Sequence, residues 1–199
     1  MRFQPIIIPG WRNSGTGHWQ TEWEQTLAHS VRVTQTDWET PVAVDWHGAV
    51  AQAVDAATCP VLLIAHSLGC ISAAALPVAL HPRVAGALLV APADVERPNA
   101  PDCIKGFAPI TQQPLGFQSV VVASDNDPYC QLERADTFAR AWGSRLVIVK
   151  NAGHINAEAG FGSWPEGLKL LTALRRRAAW RIQPAAPRIS PLPLHVEMQ

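Results

Sequence analysis

The sequence predicts an α/β protein of three layers, helices covering both faces of a mostly parallel sheet of six strands. Three observations carry that prediction. Apolar runs of strand length recur along the chain, and stretches of helical periodicity lie between them. Several runs, such as Val61-Leu62-Leu63-Ile64-Ala65, are apolar without interruption, which marks a strand buried on both faces.

Each element follows in order. Phe3 to Ile8 reads as the first strand, closed by Pro9-Gly10, and 18–29 as a helix. Val31 to Thr36 alternates weakly and reads as a second strand, with a helix over 47–57. The third strand, Val61 to Ala65, leads into a helix over 68–80. Val84 to Ala91 and Ser119 to Ser124 read as the fourth and fifth strands, then 131–142 as a helix. Leu146 to Lys150 completes the sheet and 164–178 forms the last helix. Strands alternating with helices imply right-handed crossovers and parallel pairing.

Two segments break this rhythm. Residues 92–117 carry Pro92, Pro98, Pro101, Pro109 and Pro114 with little periodicity. A loop of that length is usually functional or mobile, and this one is placed to overhang the sheet's carboxyl edge. From about residue 181, Pro184, Pro187, Pro191 and Pro193 forbid a continuing helix. The expected organisation is therefore one domain over 1–180 and an extended or disordered tail over 181–199.

Composition excludes several classes of function. With 48% hydrophobic and 16% charged residues in 199, the chain as a whole cannot be intrinsically disordered. Sixteen basic and sixteen acidic residues cancel, which argues against nucleic acid as a partner. Residues 175–199 hold five arginines and one acid, leaving 1–174 with eleven basic and fifteen acidic side chains. Arg175-Arg176-Arg177 then reads as a helix end complementing the dipole. A protein partner bound through the tail finds no support in its residues. No apolar run is long enough to span a membrane, and the three isoleucines before Pro9 are too few for a signal-peptide core. Cys59, Cys70, Cys103 and Cys130 are scattered without metal-ligand or disulfide spacing, so no metal is expected and the cytoplasm is the expected compartment.

The chemistry concentrates at the strand ends. Ala65-His66-Ser67-Leu68-Gly69 lies directly after a buried strand and directly before a helix, the context a nucleophile elbow requires. Small residues at 65 and 69 leave room for a strained turn that lifts the Ser67 oxygen out of the sheet. An ordinary serine N-cap is the plainer alternative. A reactive serine needs a base, and the base needs an acid to orient it. In this topology they should follow later strands in the order acid, then histidine. The fifth strand ends in Ser124-Asp125-Asn126-Asp127-Pro128, and the sixth is followed by Asn151-Ala152-Gly153-His154. His154 is the expected base. Asp127 is preferred over Asp125 because Pro128 confines its backbone to extended conformations, which fixes where the carboxylate points. An oxyanion hole should combine the amide of Leu68 with one from the loop after the first strand, for which Trp11 is the candidate. Gly10, Trp11 and His66 are the expected substrate contacts. That loop lacks the endings of phosphate-binding motifs, so no nucleotide cofactor is expected. Most of the eight tryptophans are expected to serve packing.

These pieces together resemble the small α/β-hydrolases of the YdeN and retinoblastoma-binding protein 9 type. The resemblance rests on Ile8-Pro9-Gly10-Trp11 with Gly17-His18-Trp19 and Trp23, and on Gln35-Thr36-Asp37-Trp38 with Pro41 and Trp46. It continues through the elbow, Ser124-Asp125-Asn126-Asp127-Pro128-Tyr129 and Gly153-His154-Ile155-Asn156, covering residues 3 to about 174. It implies a minimal α/β-hydrolase fold without a large cap, and a triad of Ser67, Asp127 and His154. The expected function is that of a serine hydrolase working through an acyl-enzyme without a cofactor, on a small acyl ester. Thioesters and small amides or peptides are the alternatives within that class. A non-catalytic interaction module retaining the fold is the rival outside it, though all three triad residue types are present.

Overall fold

A computed structural model describes residues 2–182. Six strands form one sheet: β1 (Gln4–Ile8), β2 (Val31–Arg32), β3 (Val61–His66), β4 (Val84–Val90), β5 (Ser119–Ser124) and β6 (Arg145–Val149). Their order is β2-β1-β3-β4-β5-β6, with every neighbouring pair parallel. The order reverses between β1 and β3, and ligands of open α/β sheets bind at the carboxyl end of such a switch point.

Alternation along each strand divides the interior in two. Ile6, Ile8, Leu63, Ala65, Leu89 and Val121 face a core closed by α2 (Ala43–Asp55), α3 (Leu68–Ala74) and α4 (Leu132–Trp142). Ile7, Leu62, Ile64, Leu88, Val90 and Val122 face the other, closed by α1 (Trp19–Thr26) and α5 (Pro165–Ile182). Both faces are covered, so β3 and β5 are buried at every residue.

The strands and the alternation stand as the sequence predicts, with differences at their ends. The second strand shrinks to Val31–Arg32, because an edge strand has one neighbour and the chain turns away once the Val33 amide has donated to Ile7 O. Helix α2 starts at Ala43 rather than 47, its first turn burying Trp46 while Val44 stays exposed. Helix α3 stops at Ala74 instead of reaching 80, and a 3₁₀ turn over Val78–Arg83 follows Pro77. Helix α5 runs to Ile182, beyond the expected 178. The rest of the expected tail lies outside the described residues. The proline-rich 92–117 segment is packed rather than loose: its 3₁₀ turn Asp102–Phe107 buries Ile104 and Phe107 against the α2 side of the core. No helix among the described residues is long and apolar enough to cross a membrane.

Candidate active site

Ser67 sits between β3 and α3 with φ +53° and ψ −123°, a left-handed backbone that costs a non-glycine residue on the order of 1–2 kcal/mol. The turn is possible because its neighbours are small. A Cβ at Gly69 would land on the carbonyl oxygens of Ile8 and Pro9, and one at Gly10 would lie 2.7 Å from Ser67 Cβ. Within this turn Ser67 alone has a positive φ, and it is the residue whose side chain must leave the sheet.

His154 and Asp127 meet Ser67 from two other strand ends. His154 Nε2 lies 2.9 Å from Ser67 Oγ, and Nδ1 lies 2.9 Å and 3.0 Å from the two carboxylate oxygens of Asp127. A carboxylate only accepts, so Nδ1 carries the proton and Nε2 is left to accept from the serine hydroxyl. The side chains of His154 and Asp127 are 8% and 2% exposed, which keeps competing water from the pair.

The loop after β5 aligns the loop after β6, one residue at a time. Asp125 Oδ1 accepts from the Asn151 amide at 2.7 Å, Ser124 Oγ from Ala152 at 3.0 Å, and Asn126 Oδ1 from Gly153 at 2.8 Å. The next residue of each loop is Asp127 and His154. Asp125 is thus a loop-building residue, and the carboxylate that reaches the imidazole is Asp127, whose Oδ1 also accepts from the Tyr129 amide at 2.8 Å.

The remaining expected residues surround this line. Trp11, His66, Ser67, Leu68 and His154 border a cavity of about 340 Å³ together with His18, Ala93, Arg97 and Tyr129. Gly10 backs Ser67 without lining that cavity. Neither the Leu68 nor the Trp11 amide has an acceptor among the described residues. His66 borders the cavity, but its Nε2 donates to His154 O at 2.9 Å, so its main role is internal. Burial first, then the neighbouring His154 and His18, holds the His66 imidazole well below its ordinary pKa.

Two residues to which the sequence reading assigns no role anchor the rim. Gln20, fully buried in α1, donates to Ile8 O at 3.1 Å and Ile64 O at 2.9 Å, tying the helix to β1 and β3 just short of the elbow. His18 caps α1 by accepting the Gln20 amide on Nδ1. Burial, with Arg32 and His154 adding, lowers its pKa from 6.5 to about 4. Trp19 and Trp23 are not packing alone: their indole N–H groups donate at 2.9 Å to Ile155 O and Ser163 O in the loop that carries His154. Two buried thiols are held protonated: burial raises Cys70 well above its ordinary value and, with Asp127 and Asp94, pushes Cys130 to about 12. No three His, Cys, Asp or Glu side chains among the described residues cluster to hold a metal ion.

Known proteins share this framework. The sequence pattern of the serine hydrolase family matches residues 5–173. A YdeN-like hydrolase of Pectobacterium atrosepticum is 37% identical and superposes with a TM-score of 0.79 over 89% of this chain and 92% of its own. The ydeN gene product of B. subtilis is 22% identical, with a TM-score of 0.75 over 88% of this chain and 100% of its own. Est1E of Butyrivibrio proteoclasticus, in a structure with ferulic acid bound, shares the fold at 13% identity and a TM-score of 0.66, over 91% of this chain and 90% of its own. No curated protein matches the chain. The match over most of the sequence and the closely superposing YdeN-like structure agree: this chain belongs to the serine hydrolase family and is of the YdeN type.

Proposed function

We propose that this hydrolase is a carboxylesterase acting on small acyl esters, with Ser67, His154 and Asp127 as its catalytic triad. The reading is carried by one observation, the unbroken hydrogen-bonded line from Ser67 Oγ through the His154 ring to Asp127. As the Ser67 oxygen attacks the ester carbonyl carbon, its proton passes to His154 Nε2, and Asp127 stabilises the imidazolium. The carbonyl's electron pair moves onto its oxygen, where the amides of Leu68 and Trp11 can meet it, each such donor being worth about 10²–10³ in rate. The tetrahedral adduct breaks its bond to the leaving oxygen, which takes the proton from Nε2 and departs as an alcohol. Water then gives a proton to the same nitrogen and attacks the acyl-serine, and the acid is released as Ser67 regains its proton.

Every catalytic group in this scheme comes from the chain itself. The cavity of about 340 Å³ suits a small acyl substrate. The four free cysteines fit a reducing compartment, and we place the enzyme in the cytoplasm.

A fluorophosphonate probe tests the reading together with p-nitrophenyl esters of graded length. Ser67 should be labelled, Ser67→Ala should not, and His154→Ala should react at least about a hundredfold more slowly. A folded protein that neither labels nor turns over any ester would instead be a non-catalytic interaction module.

A further inference from the structure

The cavity beside Ser67 contains a cation that ester hydrolysis alone does not employ. Arg97 is half-buried in its wall, with the guanidinium carbon 5.4 Å from the centre of the Tyr129 ring. That ring in turn stands edge-on to the His154 imidazole, 4.6 Å between centres. Nη1 of Arg97 donates to Asp94 O at 2.8 Å. Nε is buried and donates to nothing among the described residues, and Nη2 has no acceptor among them either.

Arg97 forms no ion pair among the described residues, although Asp94 and Glu96 border a neighbouring cavity with it. Asp94 and Glu96 both pair with Arg134, which lies 3.4 Å from Asp94 Oδ1 through Nε and bonds Glu96 through Nη2. Arg12, the other arginine bordering the cavity, is paired with Glu39 at 3.1 Å. The one carboxylate of the lining, Glu158, is exposed and forms no ion pair among the described residues. A partly desolvated cation with no ion-pair partner is costly to keep, and a planar guanidinium placed over an aromatic ring suits a carboxylate well.

Building on the carboxylesterase reading, we infer that the substrate carries a carboxylate close to the scissile ester, and that Arg97 binds it. The carboxylate can belong to either product, as the far end of a dicarboxylic acid's monoester or as part of a hydroxy acid that leaves as the alcohol. Tyr129 holds the guanidinium on the side of the cavity where His154 delivers its proton. Arg97 is thereby a specificity-determining residue, and the enzyme selects esters by charge as well as by size.

Two matched pairs of esters separate these sources. Mono-p-nitrophenyl glutarate against p-nitrophenyl valerate probes the acyl side, and para-acetoxybenzoate against its methyl ester probes the alcohol side. In one pair at least, the anionic member should be preferred in kcat/KM. Arg97→Gln should then lower the anionic-to-neutral ratio by about tenfold to a hundredfold, the usual range for a charge-assisted pair, and Arg97→Lys should restore part of it. A ratio that Arg97→Gln leaves unmoved in both pairs overturns the inference, as does preference for the neutral ester in both. Binding is read apart from turnover by calorimetry on Ser67→Ala protein. The anionic esters should bind more tightly than their neutral partners, and adding Arg97→Gln should remove the difference. That difference without any turnover in the native protein would sink the carboxylesterase reading and leave the anion site standing; its absence beside normal turnover would do the reverse.

Discussion

His66, the residue before Ser67, holds the backbone of the residue that faces it: its Nε2 donates to the His154 carbonyl at 2.9 Å, with the two rings 4.8 Å apart. The elbow therefore positions both its own hydroxyl and the imidazole hydrogen-bonded to it. His66→Phe keeps much of the ring's bulk but strands a buried carbonyl, at a cost of about 1–3 kcal/mol in stability. We predict a fall in kcat of about tenfold to a hundredfold on p-nitrophenyl acetate, with KM little changed. His66→Gln, which can still donate, should recover part of the loss. Equal kcat in native and His66→Phe protein would refute the role.

The two aspartates after β5 should separate cleanly. Asp127→Asn removes the acceptor that fixes the His154 tautomer, and kcat should drop by about 10³–10⁴. Asp125→Asn retains an oxygen able to accept the Asn151 amide, so kcat should change by less than about fivefold. Steady-state kinetics on one ester settles the matter, and comparable losses would reverse the assignment.

Stability should depend on pH through His18 and His66. Both are held below their ordinary pKa, so the unfolded chain binds protons that the folded chain refuses. The stability His18 provides is complete above pH 6.5 and drains away as the pH falls toward 4, about 3 kcal/mol across that window, and that of His66 is lost in the same direction. Urea unfolding at pH 7.5 and pH 5 would reveal it as a lower midpoint at the acid value. His18→Gln should flatten the slope. A midpoint that rises on acidification would contradict the picture.

Glycines at the elbow should resist replacement for different reasons. Gly69→Ala drives a Cβ into the backbone of Ile8 and Pro9, which cannot yield, so the melting temperature should fall markedly. Gly10→Ala presses on the Ser67 side chain instead, at 2.7 Å from its Cβ. Labelling of Ser67 by a fluorophosphonate should slow by more than about tenfold while the fold survives. Native labelling rates in Gly10→Ala would show that the loop gives way.

Most of the fold is legible in the sequence because the sheet is buried on both sides, and runs such as 61–65 and 120–123 then carry an unbroken apolar signal. β2 is the exception. An edge strand of two residues needs no pattern, and its alternation over 31–36 reflects a chain that soon leaves the sheet. Ser67 and His154 are readable because each stands in a glycine-bearing turn directly after a strand. The choice of Asp127 over Asp125 follows from Pro128, and the spacing of the two loops turns it into geometry: three paired contacts precede the fourth. Gln20 and Arg97 carry no such mark. Their roles depend on partners far away in the chain or on forming no ion pair among the described residues, and no local spacing encodes either.

His154 stands on a stretch without helix or strand, between β6 and α5, held by two indoles of α1, by the last side chain of β5 and two just after it, and by one imidazole of β3. Such a segment opens locally at a lower free energy than the sheet beneath it. On warming, activity will fade while circular dichroism is still unchanged, and it will return on cooling. The upper working temperature of this enzyme is therefore a property of its rim rather than of its core.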